Sequence, residues 1–259
     1  KAKAGANALK KMNIEPVVYT EKEEAWKEMC QRDDIDLIYI CTPWYLHTPM
    51  AVYAMKQGKH VAIEVPAATT LEECWQLVET SEKTKKHCMM LENCCYDFFE
   101  LLTLNMARQG YFGELLHVEG AYIHDLLSAN FKQNQYYDNW RLKANLRNGN
   151  LYPTHGLGPI CQLLNINRGD QMDYLVSMQS NDFSMHNMAV ELSEKDPYYK
   201  TFVDKTFRGN MNTTTIKTHK GKTIMVQHDV SSPRPYSRIH LLSGTNGVAM
   251  KYPEPRISD

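Results

Sequence analysis

DLIYICTPWYLHTPMAVYAMKQGKHVAIEVP, residues 36–66, sets the architecture of the chain. Its opening run Leu37-Ile38-Tyr39-Ile40-Cys41 is short, apolar and β-rich, the pattern of a strand buried on both faces of a parallel sheet. Thr42-Pro43 ends it, because proline removes a ladder donor and moves the preceding residue out of the helical region. Met50 to Gln57 then reads as a helix, with Met50, Tyr53, Ala54 and Met55 apolar and Gly58 just past its end. A second strand is predicted over His60 to Val65. Strand, crossover helix and parallel strand within about thirty residues make a βαβ unit. Ligands of open α/β sheets bind beyond the carboxyl ends of the strands, which directs attention to Thr42–His47 and Glu64–Pro66.

Outward from this unit the chain changes character once. Before it, Lys3 to Met12 is predicted helical, Val17-Val18-Tyr19 a short strand, and Glu21 to Gln31 a helix capped by Thr20 with Trp26 and Met29 on its buried side. After it, Thr70 caps a helix bearing Leu71, Cys74, Trp75 and Val78 at helical spacing, and His87 to Leu91 is a strand ending at Glu92-Asn93. Strands therefore alternate with helices through residues 1–93, as in the second half of a doubly wound, Rossmann-type α/β domain. Residues 94–259 read differently. A helix over Phe98 to Gln109 precedes an alternating strand from Leu115 to His124, with Leu116, Val118, Gly120, Tyr122 and His124 on one face. An irregular polar and aromatic passage follows over residues 130–150, too long for a bland connection. A helix over Leu157 to Leu164 and strands over Tyr174 to Asp182, Lys205 to Lys217, Thr223 to Val230 and Arg238 to Ser243 complete an α+β domain with a mainly antiparallel sheet. Glu191 to Lys195 reads as a solvated charged stretch.

Composition excludes several classes. The 259 residues carry a net charge of −1, which gives no basic field for nucleic acid or for anionic membranes. No apolar run approaches the ~20 residues of a membrane span. Seven cysteines without framework spacing read as reduced core thiols. The histidines form no H-E-x-x-H or other compact metal pattern, so no metal site is expected, and no G-x-S-x-G elbow is present. The chain opens on what reads as the second half of an amphipathic helix and closes just after a strand. Those ends are expected to be internal to a longer protein, and the compartment, exported or cytoplasmic, is left open.

Several groups invite a site, and each has a plain structural alternative. Trp44, Tyr45, Leu46 and His47 follow the first strand of the βαβ unit, where a cofactor could lie; they could equally be a proline-anchored loop. Glu64 and Asn93 end strands, as a ligand contact, a solvated carboxylate or a turn cap would. Tyr122 and His124 share a strand face by the period of two, a pattern common in half-buried sheet packing. Tyr152-Pro153-Thr154-His155-Gly156 is more telling. Pro153 fixes the backbone, Gly156 and Gly158 leave room for close approach, and His155 could carry protons or cap a helix. Arg141 offers a planar fork for ligand oxygens, or a surface ion pair. Tyr236, beside Pro235, completes a pocket or anchors a loop.

The order strand-CTPWYLH, helix, GKHVAIEVP, helix, strand-EN, then an antiparallel sheet, resembles the Gfo/Idh/MocA oxidoreductases. Within them, EVPAATTLEECW, LENCCY, GAYIHDL, NGNLYPTHGLGP and NINRGD are similar to glycoside hydrolase family 109, the NAD-dependent α-N-acetylgalactosaminidases. The resemblance implies a partial NAD-binding domain over 1–93 and a substrate-binding domain over 94–259. NAD contacts would come from Trp44, Tyr45, Leu46, His47, Glu64, Val65 and Asn93. The N-acetylgalactosaminide substrate would meet Tyr122, Arg141, Tyr152, Pro153, Thr154, His155 and Tyr236, with Tyr122, His124, Tyr152 and His155 doing the proton work. The implied chemistry is transient oxidation at sugar C3, loss of the C2 proton, departure of the C1 substituent, addition of water and return of the hydride, one of the exceptions to the carboxylate-pair mechanism. Dehydrogenase members carry Glu-Lys-Pro at the strand end. Glu64-Val65-Pro66 lacks that lysine, which favours the glycosidase subgroup over a net sugar dehydrogenase; a non-catalytic carbohydrate- or nucleotide-sensing domain is the third reading. The glycine-rich phosphate loop is absent, so weak NAD binding is expected of this chain. The open sheet also suggests a homo-oligomer.

Overall fold

The computed structural model describes residues 2–259. They form two compact units that meet in sequence between Leu91 and Glu92. In the first, α1 (Ala2–Lys10) and α2 (Trp26–Cys30) precede β1 (Leu37–Ile40), α3 (Trp44–Lys56), β2 (His60–Ile63), α4 (Leu71–Thr84) and β3 (Cys88–Met90). The three strands run parallel in the order β1-β2-β3, with Ile38 opposite Val61 and Val61 opposite Cys88. This is a Rossmann-type sheet. Ala51, Ala54 and Met55 of α3 pack on Ile38, Ile40, Val61 and Ile63, and these residues are the unit's core. Gly58 follows α3 at φ +81°, a left-handed conformation that a side chain would strain. Thr70 opens α4 with a full capping box: its hydroxyl accepts from the Glu73 amide while the Glu73 carboxylate accepts from the Thr70 amide.

Five expectations for this unit change. The helix after β1 begins at Trp44, directly after Pro43, so Trp44–His47 forms a helical first turn rather than a loop. Proline at the N-cap, here Pro43, has no amide to leave unpaired, and the helix accommodates Pro49 in its second turn. Val17–Tyr19 is not a strand, for no described strand pairs with it, and only Trp26–Cys30 of the predicted 21–31 helix is helical. β1 is buried on one face alone, with Leu37 and Tyr39 exposed. A four-residue apolar run reads alike whether one face or both are packed. Finally, Leu71, Trp75 and Val78 are exposed and α4 buries Leu77 and Thr80 instead.

The second unit begins with a 3-10 turn (Asn93–Tyr96) and continues through α5 (Phe98–Arg108), β4 (Leu115–Ile123), α6 (Leu127–Phe131), α7 (Trp140–Ala144), α8 (Thr154–Leu163), β5 (Met172–Gln179), α9 (Phe183–Ser193), α10 (Lys200–Val203), β6 (Asn212–Thr218), β7 (Thr223–Asp229), β8 (Leu241–Gly244), β9 (Val248–Met250) and β10 (Arg256–Ser258). Seven strands form one sheet in the order β10-β9-β8-β4-β7-β6-β5, antiparallel except for β4 against β7. Phe99 and Leu104 of α5 and Ile160 and Leu163 of α8 cover one face, packed on Val118, Ile216, Ile224, Val226 and Leu242.

Here too the structure refines the sequence reading. A register shift between Leu115 and His117 leaves Leu115 buried and Leu116 exposed, and from Gly120 to Ile123 every residue is buried, so the expected alternation is confined to residues 117–120. The irregular passage takes in the end of α6 and the whole of α7. Of the charged stretch Glu191 to Lys195, residues 191–193 close α9, whose Met185 and Ala189 are buried. β6 starts at Asn212 rather than Lys205, α8 starts at Thr154 rather than Leu157, β8 starts at Leu241, and β9 and β10 are additional.

Candidate functional site

The site of the second unit is built where α8 meets β4, and glycine makes the contact. A Cβ on Gly120 would lie 2.7 Å from the Gly156 carbonyl oxygen, and one on Gly156 would collide with the Ala121 amide nitrogen. Helix and strand therefore touch backbone to backbone. The close approach sets His155, in the first turn of α8, against Tyr122, the second residue beyond Gly120. Upstream, Asn150 Oδ1 accepts from the Tyr152 amide at 3.0 Å, turning the chain before Pro153 starts the helix.

Around this contact the predicted residues of the unit converge. The Tyr122 ring lies 5.0 Å from Tyr152 and 5.1 Å from His155, centroid to centroid, and Tyr152 and His155 are 4.6 Å apart. Tyr236 stands edge-on to His124 at 5.0 Å and to Tyr122 at 6.4 Å, half-exposed at the rim. The Arg141 guanidinium lies 4.9 Å from the Tyr136 ring and 6.0 Å from Tyr152, a stacking geometry suited to its planar fork.

Electrostatics fix most of the proton positions. Tyr122 and His124 are joined by a 2.9 Å hydrogen bond between the phenol oxygen and Nδ1. Burial raises the Tyr122 phenol, which stays protonated at neutral pH. Burial, then the Arg141 cation, lowers the His124 imidazole, which stays neutral. The phenol thus donates to Nδ1, and the neutral ring carries its proton on Nε2.

His155 has different surroundings. Its Nδ1 lies 2.7 Å from Glu92 Oε1 and 3.2 Å from Cys94 Sγ. Glu92 is almost wholly buried. Burial alone would raise its carboxyl, but the bond from His155 and the Cys94 amide, 3.0 Å from Oε1, hold it below the ordinary range. Burial also pushes the Cys94 thiol up to about 12, so it is neutral. Ligand atoms sharing one tetrahedral zinc stand roughly 3.3 Å apart, given metal–ligand bonds near 2.0 Å. The 2.7 Å separation here is that of a hydrogen bond, and the trio is a hydrogen-bonded cluster. Beneath Tyr122, His228 stacks at 6.1 Å; burial, then Arg208, lowers its pKa well below the ordinary value.

Sequence reasoning missed Glu92, Cys94 and His228. Glu92 had one available signal, a carboxylate at the carboxyl end of a parallel strand. Its partner is 63 positions away in sequence, a pairing no local pattern reveals. Gly158 belongs to the same arrangement, since a Cβ there would sit 2.7 Å from Glu92 Cγ.

In the first unit Glu64 follows β2 and its Oε1 accepts from the Tyr39 hydroxyl at 2.5 Å. Trp44 and Leu46 are partly buried and Tyr45 is exposed at the start of α3, while Val65 is buried. His47 differs from expectation. Its ring is buried, with Nδ1 2.7 Å from the Pro66 carbonyl and Nε2 2.8 Å from that of Thr42, so its side chain clasps two strand-end segments instead of facing a ligand. Asn93, at the head of the 3-10 turn, is exposed. For NAD, the lone pairs left on the Glu64 carboxylate suit ribose hydroxyls. The residues present fit that part of the cofactor and include no glycine-rich phosphate loop.

The parallel sheet of the first unit lies within residues 1–92, which match the model described as "Oxidoreductase family, NAD-binding Rossmann fold". Residues 96–257 match "Glycosyl hydrolase 109, C-terminal domain", and the chain belongs to glycosyl hydrolase family 109. It is 57% identical over 244 residues to an alpha-N-acetylgalactosaminidase of Bacteroides fragilis, covering 91% of this chain and 56% of that protein. It is 53% identical over 253 residues to glycosyl hydrolase family 109 protein 1 of the same species, covering 96% of this chain and 53% of the relative. The chain thus spans little more than half the length of these relatives. Among solved structures it resembles a scyllo-inositol dehydrogenase of Lactobacillus casei with bound NAD(H) and scyllo-inositol, with a TM-score of 0.64 and 15% identity over 88% of this chain and 60% of that one. An NAD-binding protein of Listeria innocua gives a TM-score of 0.66 at 20% identity, over 97% and 64% of the respective chains. These two likenesses concern the fold.

Proposed function

We propose that the protein is a glycosidase that releases terminal α-N-acetylgalactosamine through transient oxidation of the sugar, with NAD as its cofactor. The observation that carries this reading is the convergence of Tyr122, His124, Tyr152 and His155 on one small volume, with Arg141 and Tyr236 beside them. Such a set holds and moves protons, and none of the four is a carboxylate of the kind an ordinary glycosidase opposes across the bond. The 57% identity to an alpha-N-acetylgalactosaminidase supports the substrate. Bound NAD would supply reversible oxidation at C3 of the sugar.

The chain's own residues divide the remaining work. Glu64, Val65, Trp44, Tyr45, Leu46 and Asn93 hold the cofactor, the carboxylate of Glu64 receiving ribose hydroxyls. Arg141 and Tyr236 orient the sugar, Arg141 by its fork toward hydroxyl or acetamido oxygens and Tyr236 by its exposed ring. Pro153 and Thr154 shape the wall, the Thr154 hydroxyl lying beside the Glu92 carboxylate and helping to lower it. Tyr122, with its proton retained, and His155 are the groups placed to give and take protons. Residues 1–93 act as the cofactor domain and 94–259 as the sugar domain. Self-association of the open sheet belongs to the same reading; the exposed Tyr174, Leu175, Val176 and Met178 of edge strand β5 support it.

The test is His155→Ala in the intact protein. Cleavage of an aryl N-acetylgalactosaminide should fall by roughly 100-fold or more, the contribution of a general acid or base, while NAD affinity is unchanged. A variant that cleaves normally removes His155 from the chemistry.

A further inference from the structure

We infer that Glu92 is the positioning residue that fixes His155 as the Nδ1–H tautomer and so makes Nε2 the proton-accepting atom of the site. Resting on the glycosidase reading for its catalytic consequence, the inference itself stands on geometry within one unit.

Four observations carry it. Glu92 Oε1 lies 2.7 Å from His155 Nδ1, and a carboxylate can only accept, so the proton between them belongs to the imidazole. The same oxygen receives the Cys94 amide at 3.0 Å, which keeps the carboxylate from turning away. Both partners are shielded, with the Glu92 side chain 5% and the His155 side chain 12% exposed, so water competes little for the bond. Lastly, Gly158 stands one helical turn after His155, and any side chain there would strike Glu92 Cγ, so α8 leaves open the path by which the carboxylate reaches the ring.

The competing neighbour is Cys94, whose sulfur is 3.2 Å from the same nitrogen. A thiol held neutral by burial is a weak acceptor, so it does not displace the carboxylate. With Nδ1–H committed to Glu92, the Nε2 lone pair takes a proton from the substrate, and the imidazolium so formed is countered by the adjacent negative charge. His124 takes the opposite form, its Nδ1 accepting from Tyr122. The two histidines of the site are therefore unlike: His155 receives a proton, and the Tyr122–His124 pair has one to give.

The experiment has two readouts on the intact protein. Nitrogen-15 chemical shifts of the His155 ring, assigned by loss of its signals in His155→Gln, report the tautomer directly and require no turnover. The wild type should be protonated on Nδ1 near neutral pH; a wild-type ring protonated on Nε2 overturns the inference, and this arm needs no variant of Glu92 at all. In NAD-loaded enzyme, Glu92→Gln should lose the tautomer preference and lower kcat by roughly 100- to 10,000-fold with little change in KM, the scale on which a mis-set tautomer acts. Glu92→Asp should recover part of that loss. Wild-type kcat in Glu92→Gln would overturn the positioning role. An intact wild type that cleaves no N-acetylgalactosaminide contradicts the functional reading instead, and the nitrogen shifts still decide what Glu92 does to His155.

Discussion

The phenol of Tyr122 touches more of the site than any other group, ring to ring with Tyr152, His155, His228 and Tyr236 and by hydrogen bond to His124. Replacing it by phenylalanine keeps the packing and removes one proton. Tyr122→Phe should therefore leave the thermal midpoint within a few degrees of wild type while cleavage falls by roughly 100-fold; a variant that unfolds early, or one that cleaves normally, would assign Tyr122 to packing. Arg141 acts on the same pair from outside, since its cation adds to burial in lowering His124. Most of these residues were visible in sequence through the family resemblance; the period of two sets Tyr122 and His124 on one strand face and the Pro-x-x-Gly setting draws attention to His155, but neither pattern alone separates a site from packing. Glu92 was not, because its role depends on a partner that only the fold supplies.

At the level of elements, the site depends on how near α8 can come to β4. Gly156→Ala places a methyl against the Ala121 backbone, where nothing can move aside cheaply, and should cost about 1–3 kcal/mol, the range for overpacking. Urea unfolding of the variant measures that loss, and cleavage should fall with it because His155 rides on the displaced turn. An unchanged midpoint would show that the helix already stands off the strand. The glycines were read in sequence as allowing close approach; that the approaching element is Gly120 of β4, 36 positions earlier, is a fact of topology. α4 offers the contrasting case. Thr70→Ala removes one arm of the capping box and should cost about 1 kcal/mol of stability without altering the chemistry. The cap was legible because its signal is local. The buried side of α4 was not, for an apolar stripe does not say whether anything covers it: Trp75 is 59% exposed. Likewise the first turn of α3 and the length of β6 follow from what pairs or packs with them, and local propensity fixes neither.

Across the whole molecule, acid should be destabilising well above the carboxylate range. Burial, then Lys251 and Arg238, lowers His240 to about 4, and burial, then Arg208, lowers His228 well below its ordinary value. Both stay neutral in the folded state while the unfolded chain takes up protons below its ordinary histidine value. Stability contributed by their neutral forms is present above about pH 6.5 and is lost as the pH falls toward 4; His240 alone accounts for about 3 kcal/mol over that interval. Glu92 adds loss in the same direction at lower pH, as its depressed carboxyl is finally protonated. Urea midpoints measured from pH 7 to pH 4 should decline steadily, and a flat profile would mean that these histidines are reached by water. The two-unit architecture itself was readable from the change between alternating strands and helices and an antiparallel run, although the number of sheet strands and the helices within residues 127–144 and 183–203 were not.

The central claim is that cleavage proceeds through an oxidation that is undone within each turnover. The most direct measurement follows nitrophenol and NADH together while the intact protein acts on p-nitrophenyl α-N-acetylgalactosaminide, with and without added NAD. The account predicts nitrophenol release, dependent on bound NAD, over a flat NADH trace. Accumulation of NADH with free sugars and no nitrophenol would contradict it and make the protein a net dehydrogenase.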